Sequence, residues 1–198
     1  MKLFLIAAFT CTMLFACNNN KKAGDVTITG KDGETVTINT NDMENAANEM
    51  KNRNEELQKL TPLSLDELKA LLPAEIMGAP RDNMEATKMA GLANFSKADY
   101  KMNDSTDISL TVFDCAGTAG AGYYNMAFFG LMNFEKDNEQ EYTKTTVFNG
   151  EKAIESCQKE SNRCELTYFA GDRYLVQLKG ENVDIEKIKQ IAGGLGIK

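Results

Sequence analysis

Two cysteines with six residues between them, Cys157 and Cys164 in "CQKESNRC", are the side chains of this chain best spaced for covalent chemistry. One predicted strand ends at the first and the next begins at the second. If they sit directly opposite across a hairpin, their β-carbons are about 4.5 to 5.5 Å apart, near the spacing a disulfide tolerates. A structural clip that ties down the turn is one reading and a redox thiol pair is the other. Against the second, the spacing is not CxxC, and no predicted helix start lies beside either sulfur to lower its pKa. Cys115 is then the odd thiol, expected to be buried where a strand meets a helix.

That junction reads "FDCAGTAGAGYYNM", residues 113–126. It is neither the dinucleotide pattern GxGxxG nor a P-loop, since no GK[ST] follows. It does feed glycines from a strand into a helix start, where backbone amides can hold an anion. The steric reading is that small side chains let the helix lie close on the sheet, so that Gly120→Val destabilises the fold. The helix itself, "AGYYNMAFFGLMNF", is apolar almost all round. Tyr123, Met126, Ala127, Gly130 and Phe134 can face a sheet, which leaves Tyr124, Phe128, Leu131 and Met132 either buried or exposed as an adaptable binding surface for an envelope protein or an apolar ligand.

The acids are many but scattered. Glu135, Asp137, Glu139 and Glu141 alternate in "FEKDNEQEY" as calcium ligands can, but without the spacing and glycine of an EF-hand loop, so a solvated turn is expected. The chain has no histidine and no tryptophan. The first absence excludes Ser-His-Asp and Cys-His sites and every zinc motif that needs imidazole. Carboxylate, lysine, tyrosine and thiol chemistry remain, and none forms a recognisable constellation. No catalytic residue, metal ligand or cofactor is assigned, and non-catalytic binding is the expectation. An envelope enzyme or redox accessory using thiol or carboxylate chemistry is the alternative.

The elements that must position these residues follow from periodicity. "DVTITGKDGETVTINT" alternates Val26 and Ile28 with Val36 and Ile38 around "GKDG", a hairpin signal. Residues 41–60 are helix-compatible but asparagine-rich, as in a solvated helix or connector. In "TPLSLDELKALLP", Ser64 and Glu67 make a capping box ahead of Leu65, Leu68, Leu71 and Leu72, and Pro73 stops the helix. Sheet patterning runs from Ala90 through "ISLTVFDC", with Ile108, Leu110 and Val112 on one face. A helix over Thr118 to Glu135 follows, then "EYTKTTVFNG", "EKAIESCQ", "CELTYFAG" and "DRYLVQLKG" as strands, and "VDIEKIKQIAGGL" as a closing amphipathic helix. The fold class expected is α+β: an antiparallel sheet with helices packed mainly on one face, preceded by an N-terminal β-hairpin and a polar helix.

The amino terminus joins Lys2 to a short apolar run and ends "LFAC", with Leu14 and Ala16 ahead of Cys17. This resembles the lipobox of bacterial lipoproteins, although Phe15 replaces the usual small residue. The resemblance implies diacylation of Cys17, cleavage before it and anchoring in a lipid bilayer. Residues 1–16 are then a signal peptide, 17–24 a tether, 25–60 the hairpin with its polar helix, and 61–198 the α+β domain. From residue 63 onward, the order "LP…GAPR", a strand pair, a Gly/Ala-rich helix start, "NGEKAIE" and "GDRYLVQLKGENVDIEKIK" is similar to uncharacterised Bacteroidota envelope lipoproteins. That likeness implies a single folded unit and transfers no catalytic residue. The tether lacks an acidic run after the cysteine, which points to the outer membrane facing the periplasm. A net charge of −7 argues against nucleic acid as a partner.

Overall fold

The computed structural model describes residues 25–29, 35–130 and 135–197. The expected signal peptide, the expected tether and Cys17 lie outside the described residues. The chain divides into two compact units, Met1–Ala47 and Asn48–Lys198, each described by itself. In the first, β1 (Asp25–Thr29) and β2 (Thr35–Asn39) pair antiparallel with Val26 opposite Ile38 and Ile28 opposite Val36. This is the hairpin that the alternating β-branched residues require.

Helix α1 (Thr40–Lys59) begins in the first unit and ends in the second. Its last two turns are more than a solvated connector. Leu57 is fully buried. Asn54 donates to the Ala121 carbonyl at 3.0 Å, and Arg53 bonds Asp172 at 2.7 Å and lies over the Phe169 ring.

The rest of the second unit is a nine-stranded antiparallel sheet. Its strands are β3 (Glu75–Ile76), β4 (Ala79–Thr87), β5 (Asn94–Asn103), β6 (Thr106–Asp114), β7 (Glu135–Asp137), β8 (Glu141–Phe148), β9 (Glu151–Gln158), β10 (Arg163–Ala170) and β11 (Tyr174–Glu181). The spatial order is β3-β4-β5-β6-β11-β10-β9-β8-β7. Two meanders therefore meet where β6 pairs with β11, and helix α3 (Gly117–Gly130) opens the connection from the middle of the sheet to its far edge. Turn chemistry pins the register. Asn149 and Gly150 both take positive φ in the two-residue link from β8 to β9, as a type I′ hairpin requires.

One face carries the main core. Val112, Leu110 and Ile108 of β6 sit opposite Val176, Leu178 and Gly180 of β11 on one side, and opposite Ser96, Ala98 and Tyr100 of β5 on the other. The apolar members are fully buried, each contributing roughly 1.5 to 3 kcal/mol for a Val, Leu or Ile side chain. Helices α2 (Leu65–Ala70) and α4 (Ile185–Gly194) cover this face, placing Leu68 and Ile188 in the core. The α2 capping box forms as read: Glu67 accepts the Ser64 N–H at 2.7 Å, and Ser64 Oγ accepts the Glu67 N–H. Gly180 leaves room for both Ile188 and Val183, because a β-carbon there would lie 2.6 Å from Ile188 Cδ1 and 2.8 Å from Val183 Cβ.

A charge is built into that core. Glu155 of β9 is 2% exposed, with the ammonium groups of Lys144 at 3.0 Å and of Lys189, on α4, at 2.7 Å. Burial pushes its carboxyl up, but the two lysines outweigh burial and hold it below the usual carboxylate range.

The opposite face is divided along the strands. At the α3 end, Phe95, Phe113, Leu175 and Phe169 stand side by side in register. Tyr123 stacks on Phe113 with ring centres 4.7 Å apart, and Tyr124 tilts against Phe169 at 4.8 Å. Helix α3 thus seals half of this face, while the other half carries polar residues.

Candidate functional site

The polar half forms a trough with a volume of about 670 Å³ running across the strands from β4 to β8, within the range of small-ligand pockets. Strand alternation supplies its floor, because every second residue points away from the core. In one row Ser156 faces Glu165, Glu165 faces Lys179, Lys179 faces Ser109, Ser109 faces Asp99 and Asp99 faces Asp82. The next row, nearer the strand ends, runs Glu141, Gln158, Arg163, Glu181, Asp107 and Lys101. A third row of Thr167, Gln177, Thr111 and Lys97 lies between these residues and the aromatic row under α3.

Opposite charges are joined across neighbouring strands. Arg163 Nη2 bonds Glu181 at 2.6 Å, and Lys179 lies 3.2 Å from Glu165. Within β5, Lys97 lies 3.6 Å from Asp99. These side chains are between about a quarter and a half exposed, so their pairing holds them in place while leaving them accessible to a ligand. Asp82 opposite Asp99 and Glu181 opposite Asp107 are exceptions, because like charges across a strand pair repel. Among the described residues no aromatic ring lines the trough.

The disulfide lies on the core face of the sheet, behind the trough's floor. Cys157 and Cys164 are direct cross-strand partners with Cα atoms 4.1 Å apart and sulfurs at bonding distance. The neighbouring residues Gln158 and Arg163 face each other on that floor. Of the two readings the sequence left open, the geometry realises the clip. Cys115 is free and fully buried, and burial pushes its thiol up to about 12, so it carries no thiolate near neutral pH.

The glycine-rich junction holds an anion of the protein's own. Asp114 accepts the Ala116 N–H at 3.2 Å and, from across the fold, the Leu63 N–H at 2.7 Å. Arg173 donates to both of its oxygens, at 2.8 and 3.1 Å, and also to the Thr61 carbonyl. The steric reading holds at Gly120, where a β-carbon would sit 2.4 Å from the Cys115 carbonyl carbon, and not at Gly122, where it would meet nothing within 4 Å.

The apolar binding surface expected on α3 is corrected at Tyr124, which is 3% exposed because its ring is packed on Phe169. Leu131, Met132 and the side chain of Phe128 lie outside the described residues. In the acidic segment, Asp137 pairs with Lys159 and Glu141 with Lys136. The apolar recess between β3 and α4, about 230 Å³ beside Ile76, Met77, Ile191 and Leu195, is not adjacent in sequence to any residue singled out for binding. Sequence reasoning missed the trough because residues such as Ser109 and Lys179 meet only through the β6–β11 pairing. The available signal was the repeated polar residue at alternate strand positions. No family model matches the chain, and no curated protein or solved structure is similar to it.

Proposed function

We propose that this protein is a membrane-anchored lipoprotein of the bacterial envelope, tethered through acylated Cys17, and acts as a non-catalytic binding module. The trough is its ligand-contacting surface. The observation that carries this reading is the trough's construction: a large polar concavity whose acids are for the most part neutralised by lysine or arginine neighbours rather than left to attack or to exchange protons. The burial of Cys115 and the bridging of the other two cysteines of the domain leave thiol chemistry without a nucleophile, which supports binding over a redox role. Among the described residues no helix is long and apolar enough to cross a membrane.

The test has two arms. Labelling with a lipid precursor should mark the wild type and not Cys17→Ala, and the variant should leave the membrane fraction; labelling that survives the substitution removes the anchor. What co-purifies with the native protein should be lost on Arg163→Glu or Lys179→Glu while the melting temperature holds. Retention by both variants removes the trough from the account. A second reading, carboxylate catalysis, draws on the facing pair Asp82 and Asp99. It requires that Asp82→Asn abolish conversion of a bound ligand while leaving its affinity intact.

A further inference from the structure

The trough also carries information about the chemistry of its occupant. We infer, building on the binding reading above, that the trough takes an extended peptide segment carrying both acidic and basic side chains, laid across the strands.

Charge pattern is the first ground. Along the floor Arg163 is flanked by Gln158 and Glu181, and Lys179 by Glu165 and Ser109. Neighbouring strands are about 4.8 Å apart, so a ligand charge of either sign meets both signs within one strand spacing. A polyanion would meet Glu165, Glu181 and Asp107, and a polycation would meet Arg163, Lys179 and Lys101, at an unfavourable like-charge distance. Only a ligand of mixed sign matches throughout, by exchanging partners with the existing pairs.

The second ground is the donor and acceptor set. Ser109, Ser156 and Gln158 offer hydroxyl and amide groups between the charges, complementary to the N–H and C=O groups of a peptide main chain. A sugar polymer would need flat apolar platforms for its ring faces, and among the described residues no aromatic side chain lines the trough.

Length is the third. Seven strands, β4 to β8 in spatial order, contribute to the trough. At about 4.8 Å per spacing this is roughly 29 Å, the reach of about nine extended residues. From the core face, the clip between Cys157 and Cys164 pins the register of β9 and β10, holding Arg163 and Gln158 across from each other on the floor.

The experiment measures binding of four fluorescent probes to the purified full-length protein by anisotropy. They are a twelve-residue peptide with alternating Glu and Lys separated by serines, equal-length all-Lys and all-Glu versions, and a neutral N-acetylglucosamine oligomer. The mixed peptide should bind at least tenfold tighter than the other three. That binding should weaken at least tenfold in Lys179→Glu and in Arg163→Glu, persist in the remote control Lys51→Ala, and decline as salt rises. Tighter binding of the sugar or of a single-sign peptide, lost in the same variants, overturns the peptide assignment and keeps the trough as a site. Binding of the mixed peptide that ignores both variants overturns the inference and the trough together, and so does failure of all four probes to bind.

Discussion

Asp114 shows what a single buried residue can hold together. Its carboxylate serves four donors: the N–H groups of Leu63 and Ala116 and two nitrogens of Arg173. It therefore ties the segment before α2, the start of α3 and the β10–β11 turn to the end of β6. Removing one partner of a buried pair leaves the other uncompensated, so Asp114→Ala should cost about 3 to 5 kcal/mol in urea denaturation; a loss near zero would refute this role. The glycines of the same junction divide sharply. Gly120→Ala places a methyl against the Cys115 backbone, which cannot yield, and should cost about 2 to 3 kcal/mol. Gly122→Ala meets nothing within 4 Å and should be neutral or stabilise by up to about 1 kcal/mol. Equal effects at the two positions would contradict the packing described. The run of small residues made Gly120 legible in the sequence. Asp114 was not legible, because its partner Arg173 lies 59 residues away and nothing local marks the pair.

Among the elements, local chemistry spoke clearly wherever it was self-contained. The capping box of α2, the Asn149-Gly150 turn and the alternation of β6 were all readable because each involves neighbours within a few residues. The disulfide was readable because a short hairpin fixes which residues face each other. The placement of α4 was only half readable. Its apolar stripe predicted burial of Ile188 and Ile191, but Lys189 reaching into the core depends on Glu155 being there to meet it. That contact carries a pH dependence whose sign can be worked out. Glu155 has its carboxyl lowered in the folded state, so the group contributes stability that is fully present above the ordinary glutamate value of about 4.3. The contribution is lost as pH falls through the lower folded value. Urea midpoints should therefore decline below about pH 4.3, and Glu155→Gln should flatten that part of the decline while lowering the plateau above it. A decline of unchanged size in the variant would assign it to other carboxylates.

The whole molecule is where sequence reading stopped short. Periodicity identified β1, β2, β5, β6 and β8 to β11, and the α+β class followed, but it passed over β3 and β4 and carried the helix of α3 on to Glu135, where β7 begins. The spatial order did not follow, because the pairing of β6 with β11 joins segments separated by α3 and four strands. That one pairing creates the site: it sets Lys179 beside Ser109 and Glu181 beside Asp107. In the sequence, α3 is conspicuous because it is apolar all round; in the fold, Tyr123 and Tyr124 spend that character on sealing the sheet, and the accessible surface is the charged half that α3 leaves open. The most direct test places a photo-reactive residue at Ser109 on the trough floor, or at Lys51 on the exposed side of α1 as a control, in cells that make the full chain. The account predicts a crosslinked partner from the Ser109 position that disappears when Lys179→Glu is added, and none from Lys51. Equal crosslinking from both positions, or crosslinking from Ser109 that Lys179→Glu leaves unchanged, would contradict it.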